Sequence, residues 1–172
     1  MYGKPQPAMW FDAFPDGGGY PKGFLPWALG QMGCENPNEV LHVCSGSMRS
    51  GVTVDIRKEV KPCIVADARC LPFANDSFRY ILIDPPYSET YAENLYKVGK
   101  HYPKPGELLK EAGRVCTVNG KIGLLHFIVP VTRKPLKMRG VWGITTGNGT
   151  AIRAWTLLEK VNVLNEHWRN GT

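Results

Sequence analysis

The run Tyr80-Ile81-Leu82-Ile83 ends at Asp84-Pro85-Pro86-Tyr87, and this junction limits what the chain can fold into. Two adjacent prolines have no N–H to give a β-ladder, so an apolar segment of strand type must stop there. The Asp84 carboxylate, the prolyl carbonyls of Pro85 and Pro86 and the Tyr87 ring are then left at the rim of a sheet, where open α/β proteins place ligands. A rigid turn rich in acceptors, with an aromatic beside it, suits a flat heterocycle carrying an exocyclic amino group. Taken alone, the same residues also read as an Asp cap followed by proline at the first helical position.

Three upstream segments favour the sheet. Val40-Leu41-His42-Val43-Cys44 runs into Ser45-Gly46-Ser47, and Val52-Thr53-Val54-Asp55-Ile56 closes on an acid. Cys63-Ile64-Val65-Ala66-Asp67 does so again, before Leu71-Pro72-Phe73. Each has strand length, and continuous apolarity indicates burial on both faces, as in parallel sheets. Three successive strands therefore carry an acid (Asp55, Asp67, Asp84) at the C-terminal end, along one sheet edge. Between the first two segments lie only residues 45–51, fewer than the dozen or so that a parallel crossover normally takes. Gly46 and Gly51 bracket this stretch, so an extended loop replacing the crossover helix is expected; antiparallel pairing is the alternative.

Residues 1–19, with Pro5, Pro7, Pro15 and Gly17-Gly18-Gly19, are expected to be irregular. Trp10, Phe11 and Phe14 are too apolar for a free tail and imply a segment lying across the domain. Tyr20-Pro21-Lys22-Gly23 leads into a helix with Phe24, Leu25, Ala28, Leu29 and Met32 on one face, ended by Gly33. Residues 88–100 are tyrosine-rich and helical in part. Pro105-Gly106-Glu107 opens a helix whose Leu108, Leu109, Ala112, Val115 and Cys116 share a face, stopped at Asn119-Gly120. Residues 121–129 read as a fifth buried strand and residues 132–139 as a basic loop. Residues 142–146 and 151–161, joined by Gly147-Asn148-Gly149, read as a closing β-hairpin. Residues 20–172 are expected to form a single α/β domain with a mostly parallel sheet.

No run of eighteen apolar residues and no basic-then-apolar leader is present, so a cytoplasmic protein without a membrane partner is expected. Five cysteines without a Cys-x-x-Cys pair read as reduced thiols, not as disulfides or zinc ligands, and no metal site is expected. Charge is uneven. Up to Tyr87 the chain carries 8 Lys and Arg against 9 Asp and Glu; beyond it, 13 against 6. A basic second half suits a polyanionic partner, with a solvated surface as the plain alternative. The candidates for phosphate contact are Lys97, Lys100, Tyr102, Lys104, Arg133, Lys134, Lys137 and Arg139.

Together these features resemble the class I S-adenosylmethionine-dependent methyltransferases, and within them the amino-methyltransferases of adenine N6 or cytosine N4 in DNA. The resemblance covers roughly residues 20–161 and rests most on Asp84-Pro85-Pro86-Tyr87, preceded by Asp55 and Asp67. It implies a Rossmann-like fold and S-adenosyl-L-methionine as cofactor. By the resemblance, Tyr20 and Pro21 cover the methionine end, and Cys44-Ser45-Gly46-Ser47 is the loop where backbone approaches the cofactor. Asp55, with Ile56, meets the ribose hydroxyls; Asp67 and the Ala68 N–H meet the adenine, walled by Leu71 and Phe73. Asp84 borders both cofactor and substrate. The short first crossover departs from the family and removes a helix N-terminus, which leaves Lys22 or Arg49 to supply positive charge.

The resemblance also implies the catalytic group Asp84, Pro85, Pro86 and Tyr87. The target amino group would donate to the Asp84 carboxylate and the Pro85 carbonyl while Tyr87 stacks on the base, so that catalysis is by positioning. In duplex DNA the base must first swing out. The expected activity is methylation of a nucleobase amino group, adenine N6 in DNA ahead of RNA. Residues 133–139 are the candidate sequence reader. With no target-recognition domain in view, a short site or a partner subunit supplying recognition is implied. Alternatives are a base of rRNA or tRNA, including guanine N2; a protein amide, where Asn-Pro-Pro-Tyr is more typical; and a non-catalytic accessory subunit. His126-Phe127 points toward the same rim, although a core histidine is the plainer reading.

Overall fold

The computed structural model describes residues 9–11, 20–94, 97, 98, 102–146 and 152–163. The elements in chain order are β1 Met9–Phe11, α1 Phe24–Met32, β2 Val40–Val43, β3 Val52–Asp55, β4 Ile64–Val65, β5 Phe78–Ile83, α2 Glu89–Asn94, α3 Pro105–Val115, β6 Cys116–His126, β7 Leu136–Thr146 and β8 Ile152–Lys160. The strands form one sheet in the order β1-β7-β8-β6-β5-β2-β3-β4. Every neighbouring pair is parallel except those of β8, which runs antiparallel to both β6 and β7.

Continuous apolar strands need cover on both faces, and helices α1 and α3 provide it. Leu41, Val43, Ile81, Ile83, Ile122 and Leu124 share a core with Leu108, Leu109, Ala112 and Val115 of α3. Their alternates Val40, Tyr80, Leu82 and Leu125 share the other core with Phe24, Ala28, Leu29 and Met32 of α1. There the Trp27, Trp142 and Trp155 rings meet at 5.0–5.8 Å. Gly33 ends α1 in the left-handed conformation, as its place in the sequence suggests. Pro105 opens α3, with Glu107 accepting from the Lys104 N–H at 2.9 Å.

The extended-loop reading of the first crossover holds. β2 and β3 are parallel, Leu41 opposite Val52 and Val43 opposite Val54. Four-residue strands are only ~13 Å long, and the eight residues 44–51 can reach ~26 Å, so no helix is needed for the return. The loop bends through positive φ at Cys44, Gly46 and Gly51 (56°, 53° and 67°). A Cβ on Gly51 would lie 2.3 Å from the Val40 carbonyl oxygen. Glycine is what lets the chain pass so close to β2.

Three expectations are corrected. Within residues 1–19, Met9–Phe11 is a strand, pairing in parallel with the edge of β7; its apolar residues suit a sheet better than a loose wrap. The helix before β6 ends at Val115, and Cys116 begins β6 directly. Asn119-Gly120 is an irregularity within that strand, where pairing with β5 shifts and Asn119 takes φ 64°. Leu136-Lys137-Met138-Arg139 belongs to β7, not to a loop. Leu136 and Met138 pack on the core while Lys137 and Arg139 are exposed, an in-out alternation of strand type. Arg139 and Lys121 both pair with Glu159 across the ladder. The β7–β8 hairpin is as expected, and its turn at residues 147–149 lies outside the described residues. No helix of the described residues is long and apolar enough to cross a membrane.

Candidate active site at the C-terminal edge of the sheet

Because β2, β3, β4 and β5 are parallel neighbours, Asp55, Asp67 and Asp84 emerge at one edge. Asp55 is 4 % exposed. Its Oδ2 accepts from the Gly46 N–H (2.9 Å) and Arg57 Nη2 (3.1 Å), and its Oδ1 from the Arg57 N–H (2.9 Å) and Nε (3.0 Å). Asp67 repeats the pattern with Arg69, at 2.8 Å to the backbone N–H and 2.6 Å to Nη2. These arginines were not among the expected site residues, although the spacing Asp-x-Arg occurs after both strands and signals them.

The β2–β3 loop is closed by hydrogen bonds from the Ser45 N–H to the Val54 carbonyl and from the Met48 N–H to Ser45. Ser45 Oγ is buried with no partner among the described residues. Cys44 and Ile56 are half-buried, Gly46 buried and Ser47 exposed. Burial, then the charges of Asp55 and Asp84, push the Cys44 thiol up and keep it protonated. Pro21 is buried, as is Tyr20, whose hydroxyl lies 3.3 Å from His42 Nδ1. Burial and then the Asp84 charge push the Tyr20 phenol up, so it stays protonated.

Ala68 and Leu71 are buried, and Phe73 packs on Phe78 at 4.8 Å. Helix α3 ties this wall down. Glu111 accepts from the Leu71 N–H at 2.8 Å, and Arg114 donates to the carbonyls of Leu71 (3.0 Å) and Phe73 (2.8 Å).

Asp84 is half-buried at the tip of β5, with Pro85 buried and Pro86 half-buried beside it. Its Oδ1 accepts from the Tyr87 hydroxyl at 2.8 Å, and the Tyr87 oxygen accepts from Arg153 Nη1 at 3.0 Å. Burial pushes the Asp84 carboxyl from 3.8 up to about 6, against the pull of the Tyr87 hydrogen bond and the Arg153 charge. Burial and then Asp84 push the Tyr87 phenol up, so it remains a donor. Arg153 is 4 % exposed. It was not foreseen; its signal is an arginine inside the apolar run Ile152-Arg153-Ala154-Trp155.

The expectation that Tyr87 offers its face to a base meets a different arrangement. Its ring packs against Phe127 at 4.4 Å, His126 at 5.6 Å and Tyr91 at 6.0 Å. Among the described residues, the exposed aromatic surface at this rim belongs to Phe127 and Tyr91, 39 % and 41 % exposed. His126 is buried but packs on Tyr87 at this rim: Nδ1 accepts from the Ile128 N–H at 3.1 Å, burial lowers its pKa, and Nε2 has no partner among the described residues. Tyr102 does reach the catalytic turn, donating to the Tyr87 carbonyl at 3.3 Å.

The basic segment is elsewhere. Lys137 pairs with Glu159, Glu159 with Lys121, and Lys121 with Tyr80. This row lies four residues before Asp84, ~13 Å along the strands. Arg139 is ion-paired to the same Glu159, and the Arg133 carbonyl accepts from the Leu136 N–H. Arg133, Lys134, Lys137 and Arg139 thus stand toward the opposite edge, because β7 enters the sheet from its N-terminal side. Lys97 is exposed just beyond α2, and Lys100 lies outside the described residues. No group of three or more His, Cys, Asp or Glu among the described residues is placed to hold a metal.

No protein-family model matches the chain, and no curated sequence matches it significantly. Solved structures do. TrmN from Thermus thermophilus superposes with a TM-score of 0.57 at 19 % identity, over 79 % of this chain and 48 % of that one. This chain therefore spans about half the length of TrmN. The complex between the Haloferax volcanii Trm112 methyltransferase activator and a methyltransferase gives 0.55 at 12 % identity, over 80 % and 88 %. A SAM-dependent methyltransferase from Aquifex aeolicus gives 0.51 at 12 %, over 79 % and 89 %. At such identities the likeness is one of backbone architecture, and its content is clear: the chain has the Rossmann-like class I methyltransferase fold.

Proposed function

We propose that this chain is an S-adenosylmethionine-dependent methyltransferase that modifies an exocyclic amino group of a nucleobase, with adenine N6 in DNA as the first target. The observation that carries the reading is Asp84. It sits at a strand tip beside the buried Pro85, with Oδ1 taken by Tyr87 and no donor from the described residues on Oδ2.

The residues at the neighbouring tips suit the cofactor. Ser45 Oγ is a buried polar atom lacking a partner among the described residues, and Asp55 and Asp67 are carboxylates suited to accept from a ribose diol and an adenine amino group. Arg57 and Arg69, which hold those carboxylates, have side chains 23 % and 33 % exposed. Tyr20 and Pro21, both buried, would cover the cofactor's methionine end. Bound there, S-adenosylmethionine supplies an electrophilic methyl group on a sulfonium.

The chain's own residues then do the rest. Asp84 Oδ2 and the Pro85 carbonyl accept the two amino hydrogens, directing the nitrogen lone pair outward by positioning alone. As the nitrogen gains a methyl group it must shed a proton. Asp84, titrating near 6, is an anion at neutral pH and can take it. Phe127 and Tyr91 supply the aromatic face for the base.

A base in RNA, or DNA read with the help of a partner subunit, is the second reading. It is favoured by the position of residues 133–139, which leaves the catalytic edge without a basic reader from that segment. The test is co-expression in a host lacking base methylation, followed by digestion of DNA and RNA and mass spectrometry of the nucleosides. N6-methyladenine in DNA, absent with Asp84→Ala, is the expected result. Methylated RNA alone selects the second reading, and no methylated base despite calorimetric binding of the cofactor refutes catalysis.

A further inference from the structure

We propose that Arg153 is a positioning residue for Asp84: its hydrogen bond to the Tyr87 oxygen commits the Tyr87 proton to one carboxylate oxygen and reserves the other for the substrate's amino group. This rests on the reading of Asp84 given above. A guanidinium has donors and no acceptor. With Nη1 donating to the Tyr87 oxygen at 3.0 Å, the single phenolic proton has Asp84 Oδ1, at 2.8 Å, as its acceptor. The hydrogen bonds run one way, from Arg153 through Tyr87 to Asp84.

The guanidinium carbon also lies 6.0 Å from the Tyr87 ring centroid, which holds the ring as well as the hydroxyl. β8 starts at the catalytic edge because it runs antiparallel to β6, and this brings Arg153 to Tyr87 from 66 residues away. The chain of donors that Arg153 starts ends on the Asp84 carboxylate. Among the described residues, the other groups facing this pair are Tyr20 and Cys44, both held protonated by burial and the Asp84 charge, and His126 and Tyr91 packed on Tyr87. Asp55 and Asp67 lie further along the edge. Among the described residues, the Arg153 charge also acts on Asp84 directly and partly offsets the upward push of burial.

The test follows the Asp84 carboxyl by NMR in the full chain labelled with 13C-aspartate, the resonance being assigned with Asp84→Asn. Arg153→Met should raise its titration midpoint by about one pH unit or more. Arg153→Lys, which keeps the charge but not the fork, should raise it less. In a Tyr87→Phe background the Arg153→Met effect should be measurably smaller, because the route through the hydroxyl is gone and only the direct field of the guanidinium remains. A midpoint unmoved by Arg153→Met, or moved equally with and without the hydroxyl, overturns the proposal. Should Arg153→Met fail to fold, the same comparison with Arg153→Lys decides it.

On whichever nucleic acid the wild type methylates, kcat should fall roughly 10- to 100-fold in Arg153→Met, with cofactor affinity unchanged and the acid limb of the pH profile displaced upward. An NMR shift in a protein that methylates nothing would support the positioning and sink the methyltransferase reading. Activity with an unmoved midpoint would sink the positioning alone.

Discussion

Replacing Asp84 by asparagine should make the fold more stable while leaving the site inert. The magnitude follows from the carboxyl's surroundings. Its titration stands at about 6 in the folded chain against 3.8 when solvated, and each pH unit of that gap corresponds to about 1.4 kcal/mol. Between these values the folded state binds more protons than the unfolded one, so wild-type stability falls as pH rises through this window. The loss is complete above pH 6, at a plateau of ~3 kcal/mol. Asparagine has no such titration, and its amide oxygen can still accept from Tyr87. The variant should therefore match the wild type near pH 4 and exceed it by ~1–3 kcal/mol at pH 8, or several degrees in Tm. Urea unfolding of both proteins at pH 4, 5, 6, 7 and 8 measures this directly. A stability difference that does not vary with pH, or an asparagine variant weaker at pH 8, would refute the assignment of Asp84 as a carboxylate held out of water. Methyl transfer should be lost at every pH.

Gly51→Ala places a methyl group 2.3 Å from the Val40 carbonyl at φ 67°, and should cost more than ~3 kcal/mol. A loss below ~1 kcal/mol in urea unfolding would mean the helix-free crossover is looser than described. Asp55→Ala should weaken cofactor binding roughly 100-fold by calorimetry through the loss of charged acceptor contacts, while Asp84→Ala changes it little; the reverse order would exchange the two sites. Arg133→Gln, Lys134→Gln and Lys137→Gln together should leave kcat/KM on a short oligonucleotide within about two-fold at physiological salt. The separation of ~13 Å exceeds the screening length of ~8 Å. A ten-fold loss would return this segment to the substrate path.

What the sequence could determine was chemistry written over a few neighbouring residues. Two prolines end β5 wherever it lies, glycines at 46 and 51 permit a tight return, and strands with apolar residues of both parities require a sheet covered on both faces. Acids after three such strands then share an edge by the geometry of parallel pairing. The alternation Leu136-Lys137-Met138-Arg139 was equally legible, but its positive charge made it look like a loop. Contacts over long separations depend on register and direction, which no local pattern encodes. Only the folded sheet decided that Arg153 meets Tyr87, that Arg114 anchors the wall at Leu71 and Phe73, and that Lys137 and Arg139 stand toward the edge opposite Asp84. The physical reason is that an antiparallel β8 carries its first residues to the catalytic rim, while β7 carries its first residues away from it.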